Sequence, residues 1–160
     1  MIDKTDSLDD ERQLVVFRLS EDLYGVDIKA VREIIRMQEI TPVPNAPGFI
    51  IGVTNLRGKI CPVMDMRRRF ELPAARKTGD SRIVVLEIDG EDVGMLVDAV
   101  AEVLRLRQRS IEPPPLSDAF RDGNDVVEGI ANLNGRLIVV FNVHRILSAD
   151  SDNSVSAVAA

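Results

Sequence analysis

The sequence predicts an all-β protein made of two like units, each a small barrel or sandwich closed by a short helix. Two internal repeats and the turn chemistry carry this prediction. The segment Gly52-Val53-Thr54-Asn55-Leu56-Arg57-Gly58-Lys59-Ile60, followed by Pro62-Val63-Met64-Asp65, returns 77 positions later. Its second version is Gly129-Ile130-Ala131-Asn132-Leu133-Asn134-Gly135-Arg136-Leu137, followed by Val139-Val140-Phe141-Asn142. Upstream, Leu14 to Arg36 aligns with Ile83 to Arg105 at an offset of 69, pairing Phe17 with Leu86, Gly25 with Gly94, Val31 with Val100 and Glu33 with Glu102. The two offsets differ by eight, so the second copy carries about eight extra residues, which fall between Arg107 and Val126 and include Pro113-Pro114-Pro115. One unit spans roughly 13–72 and the other 81–148, with acidic 1–12 and polar 149–160 expected to be disordered ends. Each unit alone is marginal for independent stability, so the two are expected to share a core, with their ends exchanged or packed together.

The elements follow in order. Gln13 to Ser20 is a strand rich in Val, Phe and Leu that turns at Glu21-Asp22, and Leu23 to Ile28 returns as its hairpin partner. Arg82 to Asp89 and Glu91 to Val97 repeat this around Asp89-Gly90, a tight-turn pair. Val31 to Met37 and Val100 to Leu106 have spacing that suits a helical turn, but their β-branched content favours strands beginning near Arg32 and Ala101. Asn134-Gly135 is a strong short hairpin signal, and Gly58 turns the equivalent hairpin of the first copy. Asp65 and Asn142 are matched helix caps for Met66 to Phe70 and Val143 to Leu147.

Composition excludes several classes of function. The net charge is −6, and the two ends carry −3 (residues 1–12) and −2 (residues 149–160), which leaves the body at about −1. That body lacks the positive field that phosphate binding needs, and 4% aromatics with no Trp leaves few stacking platforms, so nucleic acid is not an expected partner. A single cysteine, Cys61, forms no internal disulfide, which fits a reducing compartment. No apolar run approaches the ~18 residues of a membrane helix, and no secretory leader is visible, so a cytoplasmic protein without direct membrane insertion is expected.

Catalytic signatures are missing too. His144 is the only histidine and reads as a surface residue, while Cys61 reads as a small buried apolar one. No cluster has metal-ligand spacing and no Gly-rich phosphate loop opens a helix, Gly123-Asn124-Asp125 being a turn. No catalytic residue, metal or cofactor is therefore assigned.

The places where the copies disagree cannot be dictated by the shared fold. Arg57 stands where the second copy has Asn134, and a type I′ turn asks for positive φ there, which Asn tolerates better than Arg. Arg57 is then either a guanidinium presented to a partner or an internal ion-pair member. Lys29 is replaced by Asp98, so no one charge is structurally required at that position. Glu33 recurs as Glu102, which argues for structural pairing with an Arg. The recurring Gly25/Gly94 and Gly52/Gly129 argue for a bulge or a close backbone approach. The Arg67-Arg68-Arg69 run reads as a solvated helix face.

On Leu14-Val15-Val16-Phe17, Tyr24-Gly25-Val26-Asp27-Ile28, Val31-Arg32-Glu33-Ile34, Gly52-Val53-Thr54-Asn55-Leu56-Arg57-Gly58 and Pro62-Val63-Met64-Asp65, the chain resembles the CheW family of bacterial chemotaxis coupling proteins over about residues 13–148. The resemblance implies two five-stranded SH3-like β-barrels around a shared hydrophobic core. It implies a signalling adaptor with no catalytic activity and no cofactor, bridging methyl-accepting chemoreceptors and a CheA-type histidine kinase within higher-order arrays. It carries a receptor-binding role to Ile28, Val31 and Glu33 on one wall of a groove and to Gly94, Val100 and Val103 on the other. To Gly52 and Arg57 it carries kinase coupling or structural integrity. Two alternatives stand beside this reading: an adaptor of a CheA-type pathway that controls pili or development, and a small carboxylate-based enzyme.

Overall fold

The computed structural model describes residues 10–114 and 126–146. Most of both expected disordered ends, most of the extra residues of the second unit, the Gly123-Asn124-Asp125 turn and Leu147 lie outside the described residues. Eleven strands form among those described: β1 (Glu11–Leu19), β2 (Asp22–Asp27), β3 (Val31–Arg36), β4 (Ile50–Leu56), β5 (Lys59–Asp65), β6 (Arg82–Ile88), β7 (Glu91–Val97), β8 (Ala99–Arg107), β9 (Ile111–Glu112), β10 (Val127–Leu133) and β11 (Arg136–Phe141). A single-turn helix, α1 (Met66–Arg69), follows β5, and residues 143–146 form its counterpart after β11. Both ambiguous segments are strands. β1 begins at Glu11, inside the stretch expected to be disordered, because the Arg12 guanidinium is held by Asp27, Gln108 and Glu128.

The strands make two sheets, ordered β8-β1-β2-β11-β10-β9 and β3-β6-β7-β5-β4. Sequence repeats and sheets do not coincide. The β1–β2 hairpin of the first repeat is built into the sheet of the second, and the β6–β7 hairpin of the second into the sheet of the first. The central seams, β2 against β11 and β7 against β5, are parallel and join the two repeats in each sheet. Each sheet closes on itself. The chain leaving edge strand β8 returns as β9 against β10 at the other edge, and the chain leaving β3 returns at Thr41, which bridges Val53 in β4. The result is two small SH3-like barrels, here called the Arg57 barrel (β3 to β7) and the Asn134 barrel (β1, β2 and β8 to β11).

The period of two explains why three apolar clusters form from a continuous apolar run. In β1, Leu14 and Val16 point into the Asn134 barrel with Ile138 and Val140, while Val15, Phe17 and Leu19 point the other way into a core between the barrels. In β6, 69 residues on, Ile83 and Val85 fill the Arg57 barrel with Cys61 and Val63, while Val84, Leu86 and Ile88 join the central core. Strands buried on both faces read as unbroken hydrophobic stretches rather than alternating ones. Met64, Met66, Phe141, Val143 and Ile146 complete the central core, where Phe17 packs edge-on against Phe141 at 5.6 Å.

The repeated glycines have a common physical reason. A Cβ on Gly52 would fall well inside 3.0 Å of the Thr41 carbonyl and just inside it of Ile40, and one on Gly129 would fall inside 3.0 Å of both the Glu112 carbonyl and Ile111. Both sites lie at bulges, and both admit the strand that closes the barrel. Asp65 and Asn142 cap as expected, each accepting at 3.0 Å from the amide two residues on, Arg67 and His144 respectively.

Candidate functional site

The central core comes to the surface between β3 and β8, the two strands related by the 69-residue offset. Ile28, Val31 and Val100 are half-buried and pack against that core from outside. Val103 lies beyond them on β8 at 51% exposure, and Ile34, its counterpart on β3, is 40% exposed. Register places both over the central core, because Ile34 stands opposite Val84 and Val103 opposite Val15. All five side chains are apolar and lie over the core that the two barrels share; together they are here called the strip. Ile34 is absent from the residues that sequence reasoning assigned, and the offset pairing it with Val103 is the signal that finds it.

Two assigned residues are placed elsewhere. Gly94 is buried in β7 between Ile83 and Val63, inside the Arg57 barrel, so it shapes the barrel wall and is not part of the exposed strip. Glu33 points to the mouth of the same barrel, because the bulge between Val31 and Glu33 turns Arg32 and Glu33 away from the strip. Gly52 belongs to the construction of the barrel described above.

At that mouth stands the β4–β5 hairpin. Its tip has the backbone of the β10–β11 tip: φ is 52° at Arg57 and 54° at Asn134, then 84° at Gly58 and 88° at Gly135. In both, the Asn two residues before the tip residue accepts from the Gly amide, Asn55 at 2.8 Å and Asn132 at 3.2 Å. Arg57 therefore occupies the left-handed region that Asn fills more readily. Its side chain is 66% exposed and reaches back to Glu33, Nη1 donating to Oε1 at 3.0 Å and Nη2 to Oε2. Hydrogen bonding from Arg57 holds the Glu33 carboxyl below its ordinary range. Both partners belong to one barrel, so the pair braces a hairpin and does not bind the barrels together. The other barrel makes the same kind of brace from a shifted position, with Arg136 donating to Glu102 at 3.0 Å.

The mouth is a cavity of about 600 Å³, lined by Arg32, Leu56, Arg57, Pro62 and Asp92, and Ile60 on its rim is the most exposed large apolar residue described, at 77%. Ion pairs from Arg32 to Glu87 (3.1 Å) and Asp92 (2.6 Å) border it. Cys61 lies beneath at 1% exposure, and burial pushes its thiol up, so it acts as a core residue.

The arginine run after β5 is not a solvated face. Only Arg68 is exposed, near Asp65. Arg69 turns inward toward the Ile146 carbonyl. Arg67 donates to both oxygens of Asp98, at 2.9 and 2.6 Å, and to the Pro73 carbonyl at 2.6 Å. The charge at position 98 therefore has a structural use that its replacement by Lys29 in the first copy concealed. His144 lies on the surface, 3.7 Å from Asp89. Among the described residues no cluster of His, Cys, Asp and Glu is arranged to hold a metal, and no helix is long and apolar enough to cross a membrane.

Comparison with known proteins agrees with this architecture. The family model for the CheW-like domain matches residues 13–151. The chemotaxis protein CheW of Rhizobium meliloti is 35% identical over 141 residues, 87% of this chain and 89% of its own. That of Treponema pallidum is 32% identical over 145 residues, 88% and 85% of the two chains. The crystal structure of the scaffolding protein TtCheW from Thermoanaerobacter tengcongensis matches with a TM-score of 0.78 at 42% identity, covering 86% of this chain and 93% of that one.

Proposed function

The chain belongs to the CheW-like domain family, and from that premise we propose that it is a non-catalytic cytoplasmic adaptor coupling methyl-accepting chemoreceptors to a CheA-type histidine kinase. One observation supports this reading above the others: the molecule carries two exposed surfaces of different chemistry that share no residue. The strip of Ile28, Val31, Ile34, Val100 and Val103 is apolar and lies over the core that the two barrels share. It suits the apolar stripe of a helical receptor hairpin. The mouth around Arg57 combines an exposed isoleucine with charged groups and suits a folded partner such as a kinase domain. In this reading Gly52 acts indirectly, by letting the barrel close under the Arg57 hairpin.

The adaptor must bind two partners at once. The test is to mix the purified protein with a receptor tip fragment and a CheA-type kinase, and to follow binding of each together with kinase autophosphorylation. Both partners should bind simultaneously, and receptor tips should raise kinase activity only when the protein is present. Failure to bind any CheA-type kinase of the source organism sinks the proposal.

A further inference from the structure

The face of β3 that carries Ile34 ends in a charge. Residues directly opposite each other in an antiparallel pair share a face, and β3 against β6 reads Ile34 with Val84, Ile35 with Ile83 and Arg36 with Arg82. Ile83 fills the Arg57 barrel and Ile35 packs against the same cluster. Val84 belongs to the central core, so Ile34 and Arg36 lie on the face that carries the strip. Two arginines therefore stand side by side at the end of that face, where opposed Cβ atoms are about 5 Å apart. Like charges so placed oppose the pairing of their strands.

No carboxylate among the described residues neutralises this pair. Arg82 is half-buried, and its Nη1 donates to the backbone carbonyls of Gly79 at 2.7 Å and Ser81 at 2.8 Å, which hold the guanidinium without cancelling its charge. Arg36 is exposed and has no ion-pair or hydrogen-bond partner among the described residues. The other strand arginines of this barrel differ, since Arg32 holds Asp92 and Arg57 holds Glu33. The second copy differs too. There Arg105 is the counterpart of Arg36, the residue opposite it is Gln13, and Glu11 lies 3.8 Å away. Asp80, the counterpart of Glu11, stands in the turn before β6 with its amide donating to Thr78 at 3.1 Å, and among the described residues it pairs with neither arginine. The offset that matches Ile34 with Val103 thus matches a double cation with a single one that has a carboxylate beside it. Spacing gives the shape of the missing anion. Ile34 and Arg36 are two residues apart along a strand, about 6.6 Å. Helix residues three or four apart lie about 5–6 Å from each other on one face. A helix that rests an apolar side chain on Ile34 therefore brings a Glu or Asp three or four positions away to the two guanidiniums, whose planar forks suit a carboxylate.

We infer that Arg36 and Arg82 form a carboxylate-binding site beside Ile34, and that it selects receptor helices carrying an acidic residue three or four positions from the apolar residue seated there. The identity of the partner rests on the adaptor reading. The unneutralised charge pair does not, and it is measurable in the protein alone.

Two measurements on the full-length chain test this. The first needs no partner. Arg36→Gln removes one of two facing like charges and should raise the melting temperature by about 1–3 °C at low salt, with the gain fading as salt screens the pair. An unchanged or lower melting temperature at low salt means that the arginine is already neutralised, and overturns the site. The second titrates a receptor tip fragment by calorimetry at two ionic strengths. Arg36→Gln should weaken binding about fivefold or more and flatten its salt dependence, which a merely structural residue would not do. Arg36→Glu should weaken binding further, and Arg36→Lys should recover part of it. Arg105→Gln, whose charge already has Glu11 beside it, should change affinity less than about twofold. Wild-type affinity in Arg36→Gln, or an equal loss in Arg105→Gln, overturns the inference and leaves the adaptor reading standing. Failure of the wild type to bind any tip fragment overturns the adaptor reading and removes the receptor as the occupant. Binding of wild type but not Arg36→Gln to phosphatidylglycerol vesicles, with tip affinity unchanged, gives the pair to a membrane surface and likewise overturns the inference.

Discussion

The β4–β5 and β10–β11 hairpins are two copies of one backbone carrying different tips. They share the bulge glycine, the asparagine that binds the turn, the positive-φ pair and the helix cap that follows. They differ at Arg57 against Asn134, where the residue better suited to the conformation sits in the second copy. An arginine kept at a position that favours asparagine suggests a use for its guanidinium. The Glu33 brace is one use, but the Asn134 barrel achieves the same brace from Arg136, at a position with ordinary backbone. What the brace does not require is the placement of Arg57 at the tip, beside Ile60. At these hairpins equivalence separates construction from recognition: the residues the two turns share build them, and the one they do not share, Arg57, points to a partner, whereas the unshared Asp98 is structural through its pair with Arg67.

The largest expected effect tests construction. Gly52→Val and Gly129→Val should each destabilise the protein by about 3 kcal/mol or more, since backbone has to move to admit the side chain. Urea unfolding measures this, and the comparison is broken if one copy tolerates the substitution and the other does not. Next come the walls of the strip. Val31→Asp and Val100→Asp should each weaken receptor-tip binding about tenfold or more, because docking would bury an unpaired carboxylate, while a half-buried position leaves the fold intact. Titration calorimetry on folded variants decides this, and equal affinity to wild type removes the strip from the receptor site.

Smaller effects are expected where one copy has Asp98 and the other Lys29. Asp98→Ala should cost about 1.5–3 kcal/mol through the charged hydrogen bonds it removes, and Lys29→Ala less than about 0.5 kcal/mol. Because the folded Asp98 pKa is depressed, the stabilisation is complete above the ordinary aspartate range and is lost as pH falls through the folded value. The gap between wild type and Asp98→Ala should therefore narrow on acidification in parallel melts, and a gap that widens contradicts the pairing. The smallest change in stability is expected at the tips. Arg57→Asn should leave the melting temperature close to that of wild type, with a better turn residue offsetting a solvent-exposed ion pair. Asn134→Arg should change kinase coupling little.

Much of the fold was legible in the sequence because the repeat stated it twice. Offsets of 69 and 77 aligned the strands, Asn134-Gly135 fixed one hairpin and so the other, and Asp65 and Asn142 marked the helix starts. The sequence left exchanged ends and merely packed ends as alternatives, and could not say which hairpins cross between sheets, since local periodicity says which faces of β1 are buried but not which strands bury them. At the site, Val31 and Val100 could be paired by offset alone. Gly94 could not be distinguished from an exposed wall residue, because a glycine carries no hydrophobicity to place it. Arg67 was misread as solvated because its partner, Asp98, lies 31 residues away on another element and is a lysine in the other copy.

The central claim is that two separate surfaces serve two partners, and separation of function tests it most directly. Receptor tips, a CheA-type kinase and either wild type, Val31→Asp or Arg57→Asn would be combined, and occupancy of each partner and kinase autophosphorylation measured together. The account predicts that Val31→Asp loses the receptor and keeps the kinase, that Arg57→Asn keeps the receptor and loses kinase stimulation, and that both remain folded. If either substitution weakens both partners equally in a folded protein, the two surfaces are one site and the account is wrong.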